Sequence, residues 1–416
     1  MKLLGRSLVV LGILGLLAFF GLTSMNPAVA ERTPDEKVIA SVREVTQPLR
    51  GRGNQPGPVF LSAANPQLDA ISVLAGRAAA PTRMEASLND EGLEIRFSRP
   101  VPTGRWVNIR WAIPSGDYAN PTLATLPFDT HVGSVPVPGF IVRMLYSAGL
   151  ARMRQRDPAF PDPFALVKRV HIAPDRLAAN LVLPGNNSLF GTLANASGND
   201  MDAGLTDRLY CALADQQKRH YSTDFDEHVR RVFSIPVQAQ DGVTANRSRV
   251  AALALLVGGE RAARVVVTRK NILQQCALTT GNPVKLQGRD DLAQHWAVSA
   301  ALAAGLGGPI SGTVGEWKEL SDSLPHGSGF SFVDMAANRS GFRYGAALNN
   351  PQSADAVART LATATAEQLV PTAMLEKPEA LDAKDFRKKF QSVDSVRYQE
   401  ILKQINARLT KAGVPQ

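Results

Sequence analysis

The period of the apolar residues changes once along this chain, and that change limits its folds more than any other feature. Between residues 61 and 184 the pattern repeats every second position. Leu93, Ile95 and Phe97 alternate with Glu94, Arg96 and Ser98, and Val107, Ile109, Trp111 and Ile113 alternate with Asn108, Arg110 and Ala112. Leu177, Ala179, Leu181 and Leu183 repeat the spacing. Period two gives each segment one buried and one wet face, which predicts strands of an antiparallel curved sheet. Beyond residue 200 the pattern becomes helical, with Leu205, Leu209, Ala212 and Leu213 on one face, and "NRSRVAALALLVGGERAARVVV" reads as a buried helix ending in glycines. The Gly/Asn/Ser-rich stretch "PGNNSLFGTLANASGND" separates the two regimes and reads as a linker.

The expected architecture is therefore α+β: an antiparallel β-rich domain at 61–184, a linker at 185–200, and a mainly α-helical domain at 201–370. Residues 371–416 carry the stripe Phe386, Phe390, Val393, Tyr398, Ile401, Leu402, Ile405 and Leu409, expected as an amphipathic C-terminal helix packed back on the body, with a membrane-surface or partner helix as the other reading. Within the first domain, Asn65 is expected to cap a short helix that begins at Pro66. A helix at 138–152 is expected to cover the sheet with Phe140, Met144, Leu145 and Leu150. Residues 31–60 show little periodicity and read as a leader linker.

The N-terminus combines Lys2 and Arg6 with an apolar run from Leu8 to Leu22 and then Ala28-Val29-Ala30. That is the layout of a secretory signal peptide over residues 1–30, so the mature chain is expected to start at Glu31 in the periplasm or another exported compartment. The alternative is an inner-membrane anchor formed by residues 8–22, a run shorter than the roughly 20 residues a spanning helix needs. Two cysteines, Cys211 and Cys276, in an oxidising compartment suggest a disulfide; two buried thiols is the other reading. Lys and Arg exceed Asp and Glu by 46 to 37, but the basic residues are scattered, which argues against a nucleic-acid footprint and leaves weak attraction to an anionic membrane surface.

The densest polar stretch is "GEWKELSDSLPHGSGFSFVDMAANRSG", residues 315–341. Part of it is explained by helix starts: Asp291 with Gln294, Thr313 with Glu316, and Ser331 with Asp334 all have capping spacing. Glu319 has no cap to serve. It lies one turn after Glu316, Asn338 lies one turn after Asp334, and His295 shares a helical face with Ser299. If these faces converge, His295, Glu319, Asp334 and Asn338 meet in one partly buried cluster, with Lys318 and Arg339 at hand as partners for the acids. Three readings follow: His295, Glu319 and Asp334 holding a divalent metal, His295 and Glu319 as general acid and base, or a structural polar network. No His-Glu-x-x-His, Gly-x-Ser-x-Gly, Walker or EF-hand pattern is present. Of the other histidines, His131, His171, His220 and His228 read as surface residues, and His326 reads as part of a His-Gly-Ser-Gly loop.

"GRDDLAQHWAVSAALAAGLGG", "GEWKELSDS" and "GSGFSFVDMAANRSGFRYG" together resemble a segment of uncharacterised exported proteins of Gram-negative bacteria, the YfiM-type periplasmic lipoproteins. The shared places fall on His295, Lys318, Glu319, Ser331, Asp334, Ala337, Asn338 and Gly341, with Asn338 where an aspartate is usual. The same order is loosely similar to the VanZ-like family. The first domain, around "LPFDTHVGSVPVPGFIVRML", weakly resembles YpmS-like exported domains, which are membrane-tethered curved sheets with helices. These resemblances imply an envelope address and a candidate cluster, and bring no reaction with them. The leading functional expectation is an envelope protein that binds an apolar or lipid-like ligand, or an envelope partner, through the curved sheet and helix 138–152. The alternative is an envelope hydrolase, metal-dependent or not, built on the His/Glu/Asp cluster.

Overall fold

The computed structural model describes residues 19–49, 57–156, 162–183, 201–237, 242–263, 266, 271–278, 283–306, 315–316, 318–325 and 327–416. Most of the expected signal peptide, the linker at 185–200, Thr313 and His326 lie outside the described residues. The chain is α+β and divides into two compact units: one drawn from Met1–Gly51, Gly57–Arg152 and Pro161–Leu183, the other from Arg52–Pro56, Met153–Phe160 and Pro184–Gln416.

The first unit holds two antiparallel sheets where one curved sheet was expected. β3 (Arg83–Asn89), β4 (Gly92–Pro100), β5 (Trp106–Pro114), β7 (Asp129–Val132) and β8 (Val135–Pro136) follow each other across the larger sheet, and β1 (Thr23–Ser24) also pairs with β5. The second sheet runs β2 (Gly57–Ala63), β10 (Leu177–Leu183), β9 (Val167–Ile172), β6 (Gly116–Ala119). The alternation sets the register: Leu93 faces Ile113 and Ile95 faces Trp111 across β4 and β5. Leu88, Leu93, Ile113 and Ile172 then close one core with Val45, Ala63, Leu68 and Leu126.

Three expectations for this unit need correction. Residues 31–60 are not an unpatterned linker, because Glu36–Thr46 forms α1, capped by Asp35 and buried through Ile39, Val42 and Val45. The i, i+3, i+6 spacing of those three residues is a helical face. Asn65 does not cap its helix. Ala64 is the N-cap of α2 (Asn65–Ala78), with its N–H donating to Gln67, while the Asn65 amide spans to β3 and bonds both the N–H and the carbonyl of Leu88. The helix expected to cover the sheet exists as α3 (Gly139–Arg156), but Phe140, Met144 and Leu145 are 66%, 59% and 64% exposed. The helix is fixed from its other side, where Arg143 lies over Phe128 and Tyr146 packs on Phe164.

The second unit is helical: α4 (Ala203–Arg219), α5 (Phe225–Ser234), α6 (Gly242–Ala262), α7 (Asp290–Leu306), α8 (Phe332–Leu348), α9 (Ala354–Leu361), α10 (Ala383–Phe390) and α11 (Val396–Lys411). Cys211 on α4 and Cys276 are disulfide-bonded, with Cα atoms 5.1 Å apart. The centre of the unit is the pair α7 and α8. A Cβ at Gly341 would collide with the carbonyl oxygen of Trp296, and one at Gly345 with that of Ala300. Glycine at these two places lets the backbones of α7 and α8 touch. Trp296 is fully buried between Phe225 and Tyr344 and donates its indole N–H to Ser340.

The C-terminal segment packs back on the body as two helices, where one was expected. Phe386 and Phe390 of α10 and Tyr398 of α11 meet Phe330 and Phe332 at the start of α8. Gln391, at φ 64°, breaks the helix between them. His228 is another correction. It is fully buried on the same face of α5 as Phe225, Val229 and Val232, and its Nε2 lies 3.1 Å from the Ser222 carbonyl. His171 and His220 are exposed, as expected.

Candidate functional site

α7 begins at Asp290 and carries His295 and Ser299 one turn apart on the side facing α8. α8 begins after Ser331, whose Oγ accepts the Asp334 N–H at 3.0 Å, the capping bond its spacing predicts. Asn338 follows one turn later. The helical residues 318–322 supply Lys318, Glu319 and Asp322. Asp291 is not the cap it was expected to be. It lies inside the first turn of α7, where it pairs with Arg289 and accepts the Leu292 N–H.

The four residues expected to converge do so, and Lys318 joins them. His295 Nδ1 lies 3.0 Å from Asn338 Oδ1 and 3.7 Å from Glu319 Oε1. Asn338 Oδ1 also accepts the Ser299 hydroxyl at 2.9 Å, and its amide nitrogen donates to Glu319 Oε1 at 3.3 Å. An oxygen that takes one donor from Ser299 takes its second from His295, which assigns the imidazole proton to Nδ1 in the neutral ring. Nε2 then carries the free lone pair. It lies 3.1 Å from Lys318 Nζ and 3.4 Å from Asp334 Oδ2. A cationic donor and an anionic acceptor therefore flank the same nitrogen. Lys318 serves the neutral ring, and Asp334 serves the protonated one.

The cluster closes one end of a cleft of about 630 Å³. His295, Lys318, Asp334 and Asn338 line it, and Val298, Leu302 and Ala262 give it an apolar wall. Glu319 does not line it: its side chain is 0% exposed, against 43% for Lys318. Glu319 sits behind the histidine, with Oε2 accepting the Ser331 N–H at 3.3 Å. Burial pushes its carboxyl up to about 7, against the pull of His295 and Lys318. His295 also ends above its usual value, because Asp334 and Glu319 outweigh the opposing effect of burial. Lys318 is raised too: burial works downward, and Glu319 and Asp322 overcome it.

His295, Glu319 and Asp334 bring one ligand atom each to within 4.8 Å of one another, so these residues can gather round a divalent ion. Two features work against that use as the side chains stand. Glu319 approaches Nδ1 while Asp334 approaches Nε2, and one imidazole nitrogen binds one ion. The Lys318 ammonium, 3.1 Å from Nε2 and 3.6 Å from Glu319 Oε1, already places a cation among the acids. A metal fits only with Lys318 swung out and Glu319 turned.

Arg339 does not join the cluster; it turns away and donates to Asn406 on α11 at 3.2 Å. A second layer was missed in the sequence. Arg289 pairs at once with Asp291, Asp334 and Glu379, and Lys318 pairs with Asp322 at 2.6 Å. The Lys318 and Asp322 spacing of i, i+4 on one helix was a readable signal. Glu379, far along the chain from Arg289, left none.

No family model, curated protein or solved structure matches this chain.

Proposed function

We propose that the second unit is an acid–base catalytic centre of hydrolytic type, with His295 as the residue that takes and returns the proton. The observation that carries this reading is the double partnering of Nε2 at the end of the cleft. A nitrogen flanked by Lys318 and by Asp334 holds either protonation state without moving, as a general acid–base residue must. In the neutral ring Nε2 takes a proton from a water or a substrate hydroxyl once Lys318 has turned its N–H from the ring nitrogen to the substrate oxygen. The imidazolium so formed is held by Asp334 and backed by Glu319, and the proton passes to the leaving group. The Lys318 ammonium stands beside the developing negative charge. Asn338, which accepts the Ser299 hydroxyl, fixes the ring from behind. The apolar wall of Val298, Leu302 and Ala262 suits a substrate with a hydrocarbon part.

The compartment is part of the proposal. The basic start, the apolar run and Ala28-Val29-Ala30 favour export, and a Cys211–Cys276 bridge persists where thiols are kept oxidised.

The test is a hydrolysis panel of short- and long-chain acyl esters, phosphoesters and glycosides, run with the wild type and His295→Asn. A substrate of the site should turn over in the wild type and lose about 100-fold or more in the variant, the usual range for removing a general acid–base group. Equal rates for the two proteins on every substrate would sink the reading. Lys318→Met should lower turnover while leaving His295 able to titrate.

A further inference from the structure

The stretch that reads as the end of a signal peptide is built into the first unit. Thr23 and Ser24 pair with Val107 and Trp106 on β5. Arg105 donates to the Thr23 hydroxyl at 2.7 Å and to its carbonyl at 2.9 Å. The Asn108 amide donates to Ser24 Oγ at 2.7 Å and to the Asn26 carbonyl at 3.0 Å. The N–H groups of Ala28 and Val29 both donate to Ser98 Oγ at 3.0 Å, and Ala28 also to Asn108 Oδ1 at 3.0 Å. Val29 is 1% exposed and Ser98 is 0% exposed. One residue past the expected cut, Glu31 accepts from Arg83 at 2.6 Å.

A leader peptidase must hold the residues before its scissile bond extended in its own groove. Here the N–H groups of Ala28 and Val29 are held by β4 and β5, Arg83 of β3 reaches the Val29 carbonyl, and Val29 is inside. Removing them would also expose Ser98 and leave Asn108 without its backbone partners, two polar groups placed by the sheet to receive this segment.

We propose that residues 23–31 are a permanent part of the first unit, that the chain is not cut after Ala30, and that the apolar run before them keeps the protein attached to a lipid bilayer. The neighbouring surface suits that partner. Phe20, Leu22 and Met25 are exposed, and Val135 of β8 lies against Gly21. α3 begins a few residues after β8, presents Phe140, Met144 and Leu145 to solvent, and carries arginines and no acidic side chain. Exposed apolar residues with basic neighbours and no acids are what an anionic lipid surface receives.

The full chain, expressed with export intact, tests this in two measurements. The protein extracted from the membrane fraction should have the mass of the whole 416-residue chain, 44.6 kDa, and resist alkaline carbonate extraction. Val29→Asp should loosen this segment from β4 and β5, so that the first unit is cut by added protease at least several-fold faster than in the wild type. A mature N-terminus at Glu31 overturns the proposal. So does a Val29→Asp protein with wild-type protease resistance, since a buried segment cannot accept a charge without cost.

Discussion

Glu319→Gln separates the electrostatic role of this carboxyl from its shape. In the folded chain burial holds its proton up to about 7, against an ordinary value of 4.5. Between those limits the folded state binds more protons than the unfolded one, so stability falls as pH rises. The contribution is fully present below pH 4.5 and is lost as pH passes through about 7. One pKa unit corresponds to about 1.4 kcal/mol, so the whole window amounts to about 3 kcal/mol. His295, also raised, acts in the same direction, but only above its ordinary 6.5. Buried His228, held below its ordinary value by desolvation, acts in the opposite direction in both proteins, so the difference in slope between wild type and variant from pH 4.5 to 6.5 belongs to Glu319. Glutamine removes that contribution. A constant cost replaces it, because the new amide NH₂ must face either the Ser331 N–H or the Asn338 NH₂, donor against donor, at about 1–3 kcal/mol. The assay is urea denaturation followed by helical circular dichroism at closely spaced pH values from 4 to 8. The variant should be less stable than the wild type at low pH, and the gap should narrow or reverse by pH 8. Parallel stability curves for the two proteins across that range would refute the assignment of a raised, proton-holding Glu319.

Two further outcomes are expected. Replacing Cys211 and Cys276 by serine opens a loop with a sequence separation of 65, and the loop-entropy relation gives a loss of about 4 kcal/mol, read as a lowered denaturation midpoint that reducing agent reproduces in the wild type and not in the variant. Lys318→Met removes the cation held beside His295 Nε2 and Glu319, so zinc should raise the melting temperature of that variant and leave the wild type unmoved; a wild-type rise of equal size would show that the ammonium does not compete for the position.

The legible parts of the fold were those in which one periodicity governs a whole element. Leu93, Ile95 and Phe97 give β4, and Leu205, Leu209 and Leu213 give α4, because each pattern admits a single buried face. Partition of the strands between two sheets was not legible, since alternation fixes faces and leaves pairing partners open. α3 shows the opposite failure. Phe140, Met144 and Leu145 look like core, but the residues that hold the helix are Arg143 and Tyr146, through a cation over Phe128 and a ring against Phe164. The candidate cluster was readable because Glu319 had no local task once the caps were assigned, and because the short connections between its helices limit where they can go. Arg289 and Glu379 were unreadable, since their pairing depends on how the C-terminal segment returns to α7.

The backbone contact of α7 with α8 at Gly341 and Gly345 bears on how protons reach the site. Amides in helices packed this closely exchange with solvent only when the whole unit opens, so they should be among the slowest in the protein to take up deuterium. His295, Ser299, Asp334 and Asn338 are all carried on that slow-exchanging pair. In the acid–base role proposed for His295, a proton that arrives at or leaves Nε2 therefore does not wait for a local opening of the helices. It travels by way of the cleft, past the partly exposed Lys318, and the protonation of the site follows the water in the cleft rather than the breathing of the fold.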